Sequence, residues 1–80
     1  MQLITCSDAG GCALTLDETS ATSGALLWIG NDASATNNIT IADSAGVQET
    51  TGALTLGPRD NVMFIYNVSA WCQAGPVNDL

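Results

Sequence analysis

No stretch of this chain repeats apolar residues at helical spacing. They gather instead in short runs, broken about every eight to twelve residues by Gly, Asn, Asp, Ser or Pro, the pattern of an all-β domain. The runs place strands at Cys12–Leu16, Ala25–Ile29, Asn38–Ala42, Val47–Thr51, Ala53–Leu56, Asn61–Tyr66 and Ala70–Gln73. Polar segments separate them: a loop at Asp17–Ser23, turns at Gly30-Asn31-Asp32, Asp43–Gly46 and Asn67-Val68-Ser69, and Gly57-Pro58-Arg59-Asp60. In the last of these, Pro58 presets φ and Asp60 can bond its own backbone. Six or seven short antiparallel strands without a helix fold as a small jelly-roll-like sandwich or a barrel. A single domain over residues 1–80 is expected, with residues 1–10 a candidate N-terminal arm and residues 76–80 a loose tail.

Alternation within the runs sorts the faces. Leu14, Leu16, Leu27, Ile39, Ile41, Leu54, Leu56, Val62, Phe64 and Tyr66 are the expected core, joined by Trp28. Ala25–Ile29 barely alternates, so both its faces should be covered. In the strand at 61–66, Met63 and Ile65 form a second apolar face, which calls for a covering segment or a neighbouring subunit. Ala13-Leu14-Thr15-Leu16 recurs as Ala53-Leu54-Thr55-Leu56, a faint internal echo that would suit two related hairpins facing one another.

Charge narrows the function. The 80 residues carry a net charge of −7 with one cation, Arg59, and neither Lys nor His. One cation cannot neutralise a run of phosphates or an anionic membrane surface, so neither nucleic acid nor membrane is an expected partner. Without His or Lys the common nucleophile–base systems and Schiff-base chemistry are missing, and the chain is expected to be no enzyme, with no catalytic residues, small-molecule substrate or cofactor. Meanwhile 46% of residues are hydrophobic and 11% charged, more apolar than so small a chain needs for itself. The surplus points to partner subunits.

Cys6, Cys12 and Cys72 form an odd set. The turn-rich loop Ser7–Gly11 would let Cys6 and Cys12 pair, but the favoured expectation is three reduced, partly buried thiols. No signal peptide precedes Cys6, and the longest apolar runs are too short to span a bilayer, so synthesis and solubility in a cytoplasm are expected. The patterns Asn38-Ile39-Thr40 and Asn67-Val68-Ser69 fit glycosylation sites but are read as coincidence. Asp8, Asp32, Asp43 and Asp60 sit in turns whose chemistry accounts for them, without the spacing of a calcium loop, and no metal site is expected. Trp71 and Tyr66, amphipathic and near the chain's end, are candidate interface anchors. Arg59 could pair with Asp60 or with a carboxylate on a neighbouring subunit. Met1, Leu3 and Ile4, within Met1–Cys6, could add a strand to a partner's sheet edge.

Asn38–Asp43, then Gly52–Asp60, then Asn61–Tyr66 and Trp71 resemble small β-modules of bacteriophage structural proteins. There an I-T-I-x-D strand is followed by L-T-L-x-x-x-D-x-V-x-F-x-Y and, several residues on, a Trp. The resemblance spans roughly residues 38–72 and departs from the pattern after the aromatic strand. Tyr66-Asn67-Val68 stands where Tyr-Asp-Gly is usual. Such modules occur in tail-fibre and spike tips and are similar to some capsid decoration (cement) proteins. The resemblance implies a non-catalytic homotrimer. Read as a small product beginning at Met1, the chain is expected to be a decoration protein that binds the major capsid protein on the virion exterior. A tail-fibre or receptor-binding module recognising a cell-surface glycan is the alternative.

Overall fold

A computed structural model describes residues 2–16, 22–43, 48–50 and 52–79. Met1, most of the loop expected at 17–23, the turn residues 44–46, both ends (Val47 and Thr51) of the strand expected at 47–51, and Leu80 lie outside the described residues. Among the described residues nine short strands form: β1 (Gln2–Ile4), β2 (Cys12–Ala13), β3 (Leu26–Asn31), β4 (Ile39–Ile41), β5 (Gln48–Glu49), β6 (Leu54–Leu56), β7 (Asp60–Asn67), β8 (Ala70–Gln73) and β9 (Asn78–Asp79). The larger sheet runs β1-β3-β7-β8-β5, with β9 pairing with β7, and the smaller runs β2-β4-β6. Among the described residues both sheets stay open and no closed barrel forms. The fold is all-β, and no described segment is a helix long and apolar enough to cross a membrane.

The expectation of antiparallel strands throughout needs correction. β1 with β3, β2 with β4, and β5 with β8 are parallel pairs, while β7 is antiparallel to β3, β8 and β9. Parallel neighbours need long connections, and here the chain leaves its sheet between paired strands. The two strands beyond the expected seven lie near the ends. Residues 2–4, expected as an arm, pair with β3 of their own chain, and residues 78–79 of the expected loose tail pair with the start of β7. The two Ala-Leu-Thr-Leu copies do not build facing hairpins. Their strands, β2 and β6, flank β4 in one sheet, and each leads into β3 or β7, which pair with one another.

β7 shows why the pattern works. Val62, Phe64 and Tyr66 point inward and are buried, while Met63 and Ile65 point outward, as period two demands. β4 and β6 follow the same rule, with Ile39, Ile41, Leu54 and Leu56 inward and Thr40 and Thr55 outward. One core joins these residues to Ile29, Leu16, Cys6 and Trp71, so the inner faces of the two sheets share it. Leu14 and Leu27, expected in the core, pack against it only partly buried.

Two buried amides fasten the sheets together. Asn31 is fully buried at the end of β3, where the sequence suggests a turn. Its Nδ2 donates to the carbonyls of Asn37 and Leu56, both at 3.0 Å, and its Oδ1 accepts from the Cys6 N–H at 3.3 Å. The turn moves on to Asp32–Ala35, closed by the Ala35 N–H on the Asp32 carbonyl at 3.0 Å. Gln48 of β5 is the second clamp. Its Oε1 accepts from the Leu16 N–H at 3.0 Å and its Nε2 donates to the Ala42 carbonyl at 2.7 Å. Each amide thus reaches from the larger sheet to backbone in or beside the smaller one, meeting the rule that buried polar groups find partners.

Candidate functional site

Two surfaces stand out, one on each sheet. The first is the outer face of the larger sheet. In β3 the inward places go to Leu27, Ile29 and Asn31, so Leu26 and Trp28 must point out, and they are 66% and 40% exposed. The pairing of β3 with β7 sets Leu26 opposite Ile65 and Trp28 opposite Met63. Leu3 pairs with Gly30 on the same side, and Cys72, a free thiol of intermediate burial, pairs with Ile65. The result is an apolar face across adjacent strands, with Asn61 of β7 at its border. Trp28 keeps its polar end satisfied, donating from Nε1 to Asn61 Oδ1 at 2.8 Å. This corrects two expectations. Trp28 is not a core residue, and no described segment of the chain covers the outer face of β3.

Tyr66 and Trp71, the expected anchors, lie on the opposite, inner side. They pair across β7 and β8, are 8% and 7% exposed, and meet edge-to-face with ring centroids 5.1 Å apart. Period two from Phe64 sends Tyr66 inward, and the register of the hairpin takes Trp71 with it. Of the arm residues, Leu3 is exposed on the apolar face, while Ile4 is half-buried against the core. Met1 lies outside the described residues. Arg59 is exposed at the tip of the 57–60 turn with φ 74°, a left-handed conformation that costs a non-glycine residue energy. Its N–H donates to the Asn31 carbonyl at 2.8 Å, and Asp60 closes the turn on the Gly57 carbonyl at 3.0 Å.

The second surface is a groove of about 610 Å³ on the smaller sheet. Its walls are the loops at residues 9–11 and 36–38, and its floor is the outward pair Thr40 and Thr55. Cys6 and Cys12 are joined by a disulfide, overturning the expectation of reduced thiols. The loop between them can be short because Gly11 takes φ 82° against the Asn38 carbonyl, which a Cβ there would approach to 3.3 Å. The Thr36 and Asn37 N–H groups donate to the Cys6 carbonyl at 3.0 and 3.1 Å, and the Cys12 N–H donates to that of Asn38 at 2.9 Å. Nothing in the spacing of Thr and Asn along the sequence announces this groove, because its parts come from three separate segments.

Asp32 keeps its turn role, while Asp60 opens β7 and Asp79 lies in β9. Asp32 Oδ1 accepts from the Ser34 N–H at 2.8 Å and the Ser34 hydroxyl at 2.9 Å, and these bonds hold its carboxyl below the usual carboxylate range, the backbone one foremost. Asp79 is pushed up, first by a hydrogen bond with the Asp60 carboxyl opposite it and then by that group's charge, with Arg59 opposing. Among the described residues no three His, Cys, Asp or Glu side chains converge as metal ligands would. Compared with protein families, with curated proteins and with solved structures, the chain matches none.

Proposed function

We propose that this chain is a non-enzymatic capsid decoration protein of a bacteriophage, with a jelly-roll-like fold, that docks on the outside of the major capsid protein and stabilises the shell. The observation that carries the reading is the apolar outer face of Leu26, Trp28, Met63 and Ile65, on rigid neighbouring strands and uncovered by the described residues. Charge chooses the occupant. Two copies meeting on this face would bring two net charges of −7 together, whereas a neutral or basic shell surface meets one such chain without that repulsion. With this face given to the shell, the homotrimer forms through another surface, such as the sheet edges at β1 and β5, where strand pairing must outweigh the same repulsion. Many equivalent docking events then convert modest contacts into shell stability, because whatever binds only the assembled state shifts the equilibrium toward it.

Two further features support the reading. The Cys6–Cys12 disulfide suits a virion surface, where disulfides persist. Val68 stands where the resembled modules carry glycine and has φ 61°, so the turn keeps a conformation that glycine would serve. The test is the copy number of this chain in purified virions relative to the major capsid protein. Near-equal abundance supports decoration, and absence from virions overturns it. A trace amount favours the second reading, a tail-fibre or receptor-binding module, which the polar groove also favours.

A further inference from the structure

We infer that the groove on the smaller sheet is a binding site for a neutral, polyhydroxylated ligand, a saccharide of one or two rings. This stands apart from the proposed docking of the other sheet and does not depend on it. The volume of about 610 Å³ lies within the range of small-ligand sites. The lining settles the chemistry. Among the described residues no charged side chain borders the groove, so it offers no ion pair to a phosphate, carboxylate or ammonium group. No described aromatic borders it either, so a flat heterocycle finds no ring to stack on there. What it offers is groups that both donate and accept: the Thr40 and Thr55 hydroxyls and the Asn38 amide, with the open backbone of Gly10 beside them. A sugar hydroxyl also donates and accepts at once, and the threonine methyls and Ala9 present small apolar surface to its C–H faces.

Availability and rigidity complete the case. Thr40, Thr55 and Asn38 make no side-chain hydrogen bond to other described residues, so a ligand need not displace a partner. Both walls are held before binding, one by the Cys6–Cys12 disulfide and the other by the Asn31 amide on the Asn37 carbonyl together with the two bonds to the Cys6 carbonyl. A preformed site loses little order when it is filled. The net charge of −7 repels anionic sugars over a longer range, leaving the neutral ones.

The experiment is a two-dimensional amide NMR titration of the whole protein with lactose, maltose and N,N′-diacetylchitobiose, and with sialyllactose as the anionic comparison. The expected result is saturable shifts at Gly10, Gly11, Asn37, Asn38, Thr40 and Thr55 with a neutral disaccharide, at a millimolar Kd. The double variant Thr40→Val/Thr55→Val keeps the shape of both side chains and should bind about tenfold more weakly or worse, with its other amides unmoved. Trp28→Ser, on the opposite sheet, should bind as the parent does. The inference is overturned if no neutral disaccharide moves these amides at tens of millimolar, if sialyllactose binds more tightly than lactose, or if the folded double variant binds unchanged.

Discussion

Replacing Asn31 by Asp changes one NH₂ to oxygen in a residue with no exposure at all. The wild-type Nδ2 donates two bonds of 3.0 Å, to the Asn37 and Leu56 carbonyls. In Asn31→Asp a carboxylate would face those two carbonyl oxygens in the interior, where the charged form is disfavoured. The acid is therefore protonated in the folded protein, where its one O–H serves one carbonyl and leaves the other without a donor. Holding a carboxyl of ordinary pKa protonated at pH 7 costs about 4 kcal/mol, and the abandoned carbonyl adds about 1 kcal/mol or more. A domain of this size has only about 4–12 kcal/mol in all.

The sign follows from linkage. The new carboxyl has a raised pKa in the fold, so its folded form is fully favoured below the ordinary carboxylate pKa and is progressively lost as pH rises through the folded value. Urea unfolding followed by tryptophan fluorescence at pH 7 and pH 4 reads this directly. The expected deficit is about 5 kcal/mol, or outright unfolding, at pH 7, shrinking to about 1–2 kcal/mol near pH 4. A variant within about 1 kcal/mol of the parent at pH 7, or with equal losses at both pH values, would refute the role given to this amide.

Reducing the Cys6–Cys12 disulfide, which closes a short loop, should lower stability by about 2 kcal/mol, and alkylation after unfolding should label three cysteines with reductant and one without. Val68→Gly should raise stability by about 1 kcal/mol or more, because a β-branched residue at φ 61° is strained; a melting temperature that stays put or falls would contradict that. Asp79 has a raised pKa in the fold, so its contribution is complete below the carboxylate range and fades as pH rises through that raised value. Asp79→Asn should accordingly melt like the parent in acid and above it at neutral pH. The double variant Trp28→Ser/Ile65→Thr should stay folded as judged by circular dichroism but lose capsid binding, and retained binding would place the contact elsewhere.

β7, β8 and the turn before Asp60 were legible because each carries its own signal: a strict alternation, an apolar run bounded by polar residues, a proline two residues ahead of an Asp. The clamps were not, since Asn31 and Gln48 meet partners as far as 25 and 32 residues away, and an Asn beside Gly and Asp reads locally as a turn. β1 and β9 are too short to show a period and exist because a neighbour offers a free edge. The aromatics were hardest. Leu26-Leu27-Trp28-Ile29 is apolar throughout, so only the register with β7 decides that Trp28 faces out, and Trp71 lies inward only because Tyr66 does. The face of Met63 and Ile65 was readable, and the groove, built from distant segments, was not.

The position of β7 along the chain has a consequence for how the protein is made. The smaller sheet has all its strands once residue 56 has left the ribosome, and β1 and β3 are out well before that. Yet the inner face of β4 and β6 is covered by Val62, Phe64 and Tyr66, and β3 has its main partner only in β7. Until about residue 67 emerges, the nascent chain holds two incomplete halves with their apolar faces open, the condition that invites aggregation. Folding of this domain is therefore one late event, set off by a single strand near its C-terminal end. With most of its pairings long-range, it should also be slow for a chain of this length.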